Sequence, residues 1–375
     1  MHFIREYHLR SLFSRELFEI YFLLAMRSLS LSLIGIFLPL YLFVELAYSF
    51  NQVIYFYIAF VLLFGIGQFI ATKVVSRFGT KHSMVASIPL LIIALIFTMY
   101  LGDFPSLFYL AALFHGMHAA FFWVGFHIDA VLQGKKRDFG KESAIISAVA
   151  MLPSVVGPIV GGLVLLFFSF KVLFVMSLFA ISISFIPLLF SKEVYAKHDL
   201  DISSFFDRKH LKYFFGYFAQ GVGYTAGSVF WPLFIFTILG EYISLGIYGT
   251  VVTLFMVFVT LVLGKFSDEG KKGIILRISA IFNSVFWIMK VFVSTFSQVF
   301  VIGSLRSVVF HGIEVPFLAK TYTKAKKKHI GLLLFRETVI RLGQLACLLL
   351  VLLVGKSEAA FVAAGLLSLV FLFFR

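Results

Sequence analysis

The sequence predicts an all-helical integral membrane protein with about twelve transmembrane helices, and three observations lead there. First, hydrophobic residues make up 61% of the 375 and charged residues only 13%, and mean hydropathy is +1.02. Soluble domains run at about 45–50% apolar and 25% charged residues. Second, the apolar residues fall in runs near the roughly 20 residues that one helix needs to cross a bilayer. Third, Lys and Arg concentrate in every other connection between those runs. The runs are too long and too unbroken to alternate as barrel strands, so helices must satisfy the backbone in lipid. The 50 Phe and 15 Tyr suit a lipid-facing surface with aromatic residues at the interfaces.

In chain order the first six runs are Ile20–Val44, Val53–Val75, Met84–Leu101, Leu107–Gln133, Ala144–Phe167 and Val172–Phe190. A polar connector, Ser191–Lys212, follows. The second six are Tyr213–Gly240, Ser244–Lys265, Ile274–Phe292, Val299–Lys320, Gly331–Val354 and Glu358–Phe374. This predicts an N-terminal six-helix bundle over 1–190, a connector over 191–212 and a C-terminal bundle over 213–375. Ahead of the first run, Met1–Phe18 interleaves Arg5, Arg10 and Arg15 with Phe3, Ile4, Tyr7, Leu12 and Phe13. That pattern reads as a short amphipathic helix on the membrane surface, not a cleaved signal peptide.

Charge orients the spans. The N-terminus and the connections Ser76–Ser83, Gly134–Ser143, Ser191–Lys212, Phe266–Gly273 and Thr321–Ile330 hold about twenty Lys and Arg; the other connections hold Lys171 and Lys356. The positive-inside rule then places both termini in the cytoplasm of a multi-pass cell-membrane protein. The net charge of +14 is thereby explained without a nucleic-acid partner. The short outer connections predict no extracellular domain, and the last run reaches the C-terminus. Cys347 is the only cysteine, so no intrachain disulfide forms.

Short matches recur at offsets of 192 to 196 residues. Phe37-Leu38-Pro39-Leu40 returns as Phe230-Trp231-Pro232-Leu233. Phe114-His115-Gly116 returns as Phe310-His311-Gly312, and Lys141-Glu142-Ser143 as Arg336-Glu337-Thr338. The shared offset and order indicate a six-plus-six repeat.

With its loop motifs, this arrangement resembles the major facilitator superfamily over nearly the whole chain. That family's loop between helices 2 and 3 reads G-x-x-x-D-R-x-G-R-[RK]. Residues 72–81 match it at Arg77, Gly79 and Lys81, with Thr72 and Ser76 in the Gly and Asp places. The copy after the eighth run keeps Gly264 and Asp268 and is one residue short. Gly157-Pro158-Ile159-Val160-Gly161-Gly162 resembles a pattern that the family associates with exchangers. It also reads simply as close packing at a kinked helix. The resemblance implies that spans 1, 4, 7 and 10 line a cavity, that Arg77 meets an acid such as Asp129 at the cytoplasmic gate, with Glu337 nearby, and that transport proceeds by alternating access.

Ionisable side chains within the runs are costly, so each is a functional candidate. They are Arg27, His115, His118, His127, Asp129, Lys290, Arg306, His311, Glu314, Glu337 and Arg341. Lys290 reads as snorkelling to the outer surface, and His127 as an interfacial histidine. His115, His118, Phe122, Gly125 and Asp129 recur at steps of three and four, one helix face. By the repeat offset His311 corresponds to His115, Glu314 to His118 and Gln220 to Arg27. Arg27 lies roughly 13 Å from the cytoplasmic end of its span at 1.5 Å per residue.

These positions support a small-solute cavity built on Arg27, His115, His118, Gln220, His311, Glu314 and Arg341. His118 and Glu314 serve as its expected proton-coupling pair, since histidine titrates near neutrality. The arginines favour an anion or a zwitterion, and Trp123, Tyr224, Phe230 and Trp231 offer an apolar wall. Competing readings are a metal-ion path through the His and Glu side chains, structural interhelical hydrogen bonds, and a non-transporting sensor or scaffold. No Walker loop, nucleophile motif or metalloprotease His-Glu pair is present, so no enzyme, cofactor or ATP-driven pump is expected. The expected partners are a small solute, protons and the bilayer, with the chain a monomer.

Overall fold

The computed structural model describes residues 15–133, 139–184, 186, 205, 207–267, 272–325 and 330–374. Asp268, residues 1–14 of the 1–18 segment, and residues 191–204 and 206 of the 191–212 connector lie outside the described residues. The described residues form helices joined by short turns, with no strand among them. The spans are α1 (Arg15–Gly35), α2 (Phe50–Phe78), α3 (Thr80–Met99), α4 (Phe108–Gln133), α5 (Phe139–Phe167) and α6 (Phe170–Ile183). They continue as α7 (Phe214–Thr225), α8 (Tyr242–Ser267), α9 (Lys272–Met289), α10 (Phe296–Lys324), α11 (Gly331–Val354) and α12 (Glu358–Ser368). Nine spans among the described residues are long and apolar enough to cross a membrane, and Leu152–Phe167, Phe170–Ile183 and Glu358–Phe373 are shorter apolar helices.

Local sequence explains where the helices start, bend and stop. Ser49 with Gln52 and Thr295 with Gln298 form capping boxes that satisfy the first amides of α2 and α10. Gly79 alone separates α2 from α3, at φ 101° and ψ 167°. Only glycine holds that conformation without strain, which accounts in physical terms for the glycine at this place in the loop motif. Pro39 and Pro232 cannot donate to the helix ladder. Near them α1 runs on as Leu38–Leu40 and a π-turn at Tyr41–Glu45, while α7 passes through a π-turn at Ala226–Phe230 into Trp231–Leu239. The two Phe-x-Pro-Leu segments found by repeat thus both mark an interrupted helix.

The packing pattern of the first six helices recurs in the last six. Neighbours α3–α4, α2–α4, α1–α5, α1–α6 and α3–α6 are matched by α9–α10, α8–α10, α7–α11, α7–α12 and α9–α12. Polar pairs fasten each set: Ser30 to Ser177 at 2.8 Å in the first, Asn283 to Ser368 at 2.7 Å and Tyr217 to Thr321 at 2.9 Å in the second. Between the sets the main seams are α5–α8 and α2–α11.

The α5–α8 seam explains the Gly-Pro-x-x-Gly-Gly segment. Gly157 and Gly161 face α1, where Ser32 and the Leu33 carbonyl leave no room for a side chain. Gly162 faces α8: a Cβ there would sit 2.9 Å from the Tyr242 carbonyl oxygen. Pro158 lies against Gly246 and Gly249 of α8. The Thr250 hydroxyl accepts from the Ile159 amide at 3.1 Å and donates to the Val155 carbonyl at 2.9 Å. It thereby bridges α8 to the backbone of α5 around Pro158. Lipid tails are as apolar as leucine, so such backbone contact and interhelical bonding carry association in place of hydrophobic burial.

Candidate functional site

One polar network joins α4, α7, α10 and α11 in the half of the membrane nearer Gly79. Its centre is Arg336, which is 4% exposed. The guanidinium donates through Nη1 to Glu337 Oε1, and Nη2 lies 3.6 Å from Glu314 Oε1. The other Glu337 oxygen accepts from Arg341 Nη2 at 3.2 Å. Glu314 Oε2 accepts from Gln220 Nε2 and from the Tyr224 hydroxyl, both at 2.7 Å. Arg341 also stacks on Phe64 of α2 at 3.8 Å from the ring centroid, a cation–π contact.

The network reaches the first six helices through His127. Its Nε2 lies 3.3 Å from Arg336 Nη1 and 3.5 Å from Glu337 Oε1, and its Nδ1 lies 2.6 Å from the Tyr322 hydroxyl. A guanidinium only donates, so Nε2 accepts and the ring proton sits on Nδ1, facing Tyr322. Beside it, Gln68 Nε2 donates to Thr338 Oγ1 at 2.7 Å, joining α2 to α11. On the other side of the membrane the two sets meet through aromatic rings: Phe50 with Phe230 at 6.1 Å and Phe170 with Tyr242 at 5.4 Å.

Arg27 of α1 is buried, with its guanidinium 3.4 Å from the Phe122 ring centroid and 5.8 Å from that of Trp123. Its Nε is buried without a hydrogen-bond partner, as is His118 Nδ1. His115 pairs with the Thr98 hydroxyl at 3.0 Å, and its ring lies 6.1 Å from that of His118. His311 donates from Nδ1 to the Ser307 carbonyl at 3.1 Å. The structure therefore does not bring His118 to Glu314. It groups the histidines of α4 with Arg27, and Glu314 with Gln220, Tyr224 and Arg336. Nor does it gather His115, His118, His311 and Glu314 for a metal: no group of three or more such ligands occurs among the described residues.

Lys290 corrects the snorkelling expectation. It is 1% exposed, and its ammonium lies 3.6 Å from the Trp231 ring centroid and 4.6 Å from that of Trp287. Aromatic faces attract a desolvated cation, which keeps the chain inward. Arg306 stacks on Trp287 at 4.0 Å, and its two terminal nitrogens lie 3.9 Å from where a Cβ on Gly227 would stand. His127 departs from the interfacial reading in the same way, buried against Arg336. At the loop motif, Asp129 Oδ1 accepts from Thr80 Oγ1 at 2.7 Å, one residue beyond Gly79. Arg77 is exposed, its guanidinium 5.3 Å from the Phe78 ring, and no ion pair joins it to Asp129 among the described residues.

Reasoning on the sequence missed Arg336 and Tyr322 as site residues, and offered Tyr224 only as apolar wall, where its hydroxyl in fact donates to Glu314. The available signal was Arg336-Glu337 itself, a charged pair one turn and a half inside an apolar run.

The sequence model of the Major Facilitator Superfamily matches residues 20–345. The chain belongs to the Major Facilitator Superfamily. The superfamily is one of membrane transporters. Solved transporters share its fold. The E. coli fucose:proton symporter FucP is 11% identical, at a TM-score of 0.67 over 95% of this chain and 96% of that one. FucP in the outward conformation is 12% identical, at 0.68 over 95% and 96%. The human organic anion transporter MFSD10 is 12% identical, at 0.69 over 96% and 98%. No curated protein sequence matches the chain.

Proposed function

We propose that this superfamily member moves a small organic anion, or a zwitterion bearing a carboxylate, by alternating access coupled to protons at Glu314. The observation that carries the reading is the charge inventory between the helices. Among the described residues, Arg336 and Arg341 pair with Glu314 and Glu337, and three further cations, Arg27, Lys290 and Arg306, stand between the helices as well. Arg27, Lys290 and Arg306 rest on aromatic rings, with no carboxylate paired to them among the described residues. Cations within a membrane protein usually mark a substrate path, and an anionic solute would complete the pairing by charge-assisted hydrogen bonds. The names of two structural neighbours, a sugar:proton symporter and an organic anion transporter, agree with both halves of the proposal.

Coupling follows from the shared guanidinium. Ionised Glu314 competes with Glu337 for Arg336. A proton on Glu314 ends that competition, and Arg336 then belongs wholly to Glu337 and His127, strengthening the α4–α11 contact. Solute binding or release at the cations would bias the same equilibrium, as coupled ligands must. We further propose residues 1–190 and 213–375 as the two moving bundles, the Gly79 side as cytoplasmic, and Thr80, Asp129 and Arg77 as part of the gate there.

The test uses purified protein in liposomes with a pH-sensitive dye enclosed. A panel of mono- and dicarboxylates is added outside. At least one should move protons with the solute in wild-type vesicles and in none made with Glu314→Gln. Uptake of that solute without any proton movement, or equal proton movement in Glu314→Gln, overturns the coupling.

A further inference from the structure

At the Gly79 side of the last six helices, away from the Arg336 network, two cavities adjoin. The larger, about 520 Å³, is lined by Lys212, Tyr213, Phe215, Lys320, Lys324 and Phe374, with Val370 and Phe373 at its edge. The smaller, about 240 Å³, shares Lys320, Lys324 and Phe374 and extends along Pro316 toward Gly273 on α9. Their floor is aromatic. The Tyr213 and Phe374 rings stack at 6.0 Å with 22° between their planes.

The rim is cationic. Lys320 and Lys324 stand one turn apart on α10, hence on one face. Lys212 reaches the same place from the 3₁₀ turn Arg208–Tyr213 that leads into α7, a turn capped by the Asp207 side chain. The Lys212 and Lys324 ammonium groups lie 5.3 and 5.1 Å from the Tyr213 ring centroid, and that of Lys320 lies 6.0 Å from the Phe374 centroid. Both Lys212 and Lys324 act electrostatically on Lys320. Among the described residues no carboxylate pairs with Lys212 or Lys324; the nearby Asp207 is engaged with Lys209 at 4.0 Å. Three cations held together without a neutralising acid at two of them repel one another unless an anion joins them.

The groove is also open toward lipid. Phe373 is 86% exposed and Phe215 62% exposed, on helices whose outward faces are apolar and sit at the depth where a span ends. An occupant must therefore combine an anionic head with an apolar body, and lie where headgroups meet acyl chains. We propose that this groove is a binding site for one anionic phospholipid. The phosphate sits among Lys212, Lys320 and Lys324, and an acyl chain runs over Phe215 and Phe373. A basic cleft between helices at this level is the arrangement that holds an acidic headgroup. The site is separate from the solute path and stands whichever solute is carried.

The test measures binding of radiolabelled phosphatidylglycerol to the purified full chain in mixed micelles, against phosphatidylcholine. The expected result is saturable phosphatidylglycerol binding that is about 25-fold weaker in Lys212→Gln/Lys324→Gln, from roughly a fivefold loss per lysine. Lys356→Gln, on the opposite side, should bind like wild type. Excess inorganic phosphate should leave the lipid bound, because it lacks the chain. The proposal is overturned by equal phosphatidylcholine binding, by a double variant with unchanged affinity, or by complete displacement with inorganic phosphate. Since both lysines are exposed, the double variant folds; protection of buried Cys347 from a thiol reagent verifies this.

Discussion

Replacing Glu337 with Gln removes the carboxylate shared by buried Arg336 and partly buried Arg341. Glu337 is 4% exposed, so water offers little compensation. Taking one partner from a buried ion pair costs about 3–5 kcal/mol. Here the loss is divided unequally. Arg336 keeps Glu314, 3.6 Å from its Nη2, and so retains a counter-charge. Arg341 keeps only the Phe64 ring at 3.8 Å, a contact of about 0.5–2 kcal/mol. The expected destabilisation is therefore about 3 kcal/mol, the lower part of that range. The structure supplies its own reporter: Cys347, on α11 ten residues beyond Glu337, is the sole cysteine and is 2% exposed. A thiol-reactive fluorophore reads its unmasking during a thermal ramp in detergent. Glu337→Gln should unmask it several degrees below wild type, and adding Arg341→Met should recover part of the loss by removing the stranded cation. A Glu337→Gln protein that unfolds with wild type, or a double variant no better than the single, would refute the idea that Glu337 holds these cations.

Three further outcomes are expected. Lys290→Met should raise the Cys347 unmasking temperature, because relieving a buried cation is worth several kcal/mol against about 2 kcal/mol of cation–π attraction; a lowered temperature contradicts that balance. Gly162→Leu should prevent the α5–α8 seam from closing and abolish a monodisperse peak in size-exclusion chromatography, since even a Cβ stands 2.9 Å from the Tyr242 carbonyl oxygen; a normal peak speaks against close contact there. Gly79→Ala should lower thermal stability by about 1–3 kcal/mol from backbone strain, whereas Lys81→Ala, measured in the same ramp, should change it little.

Much of the fold was legible because its causes are local. A run such as Val53–Val75 declares a membrane span by length and composition, and Gly79 and Pro232 mark a turn and an interrupted helix by their backbone limits. The offset between His115 and His311 exposed the repeat without any knowledge of packing. The site was less legible because partners across helices depend on each helix's rotation and vertical register. Glu314 was found as a buried acid, but nothing in α10 alone says that Arg336 of α11 and Tyr224 of α7 meet it. His118, its repeat-related counterpart, looked the better partner and lies instead with Arg27. Lys290 was misread for a related reason: snorkelling was inferred from its place near a span end, while its aromatic host comes from α7, some sixty residues away.

The α5–α8 seam has a consequence for the speed of the transport cycle. Where Gly162 meets Tyr242 and Pro158 meets Gly246, backbone lies on backbone, and beside them the short Thr250 side chain bonds across the joint. Surfaces whose side chains interdigitate must unlock rotamers before they slide, and close-packed interiors resist that strongly. This seam asks for little such unlocking. Friction in the cycle should come from the opposite seam, where Gln68 and Thr338 and the His127 contacts must break. The temperature coefficient of turnover should then follow substitutions on α2 and α11 closely, and conservative changes on the outward faces of α5 and α8 hardly at all.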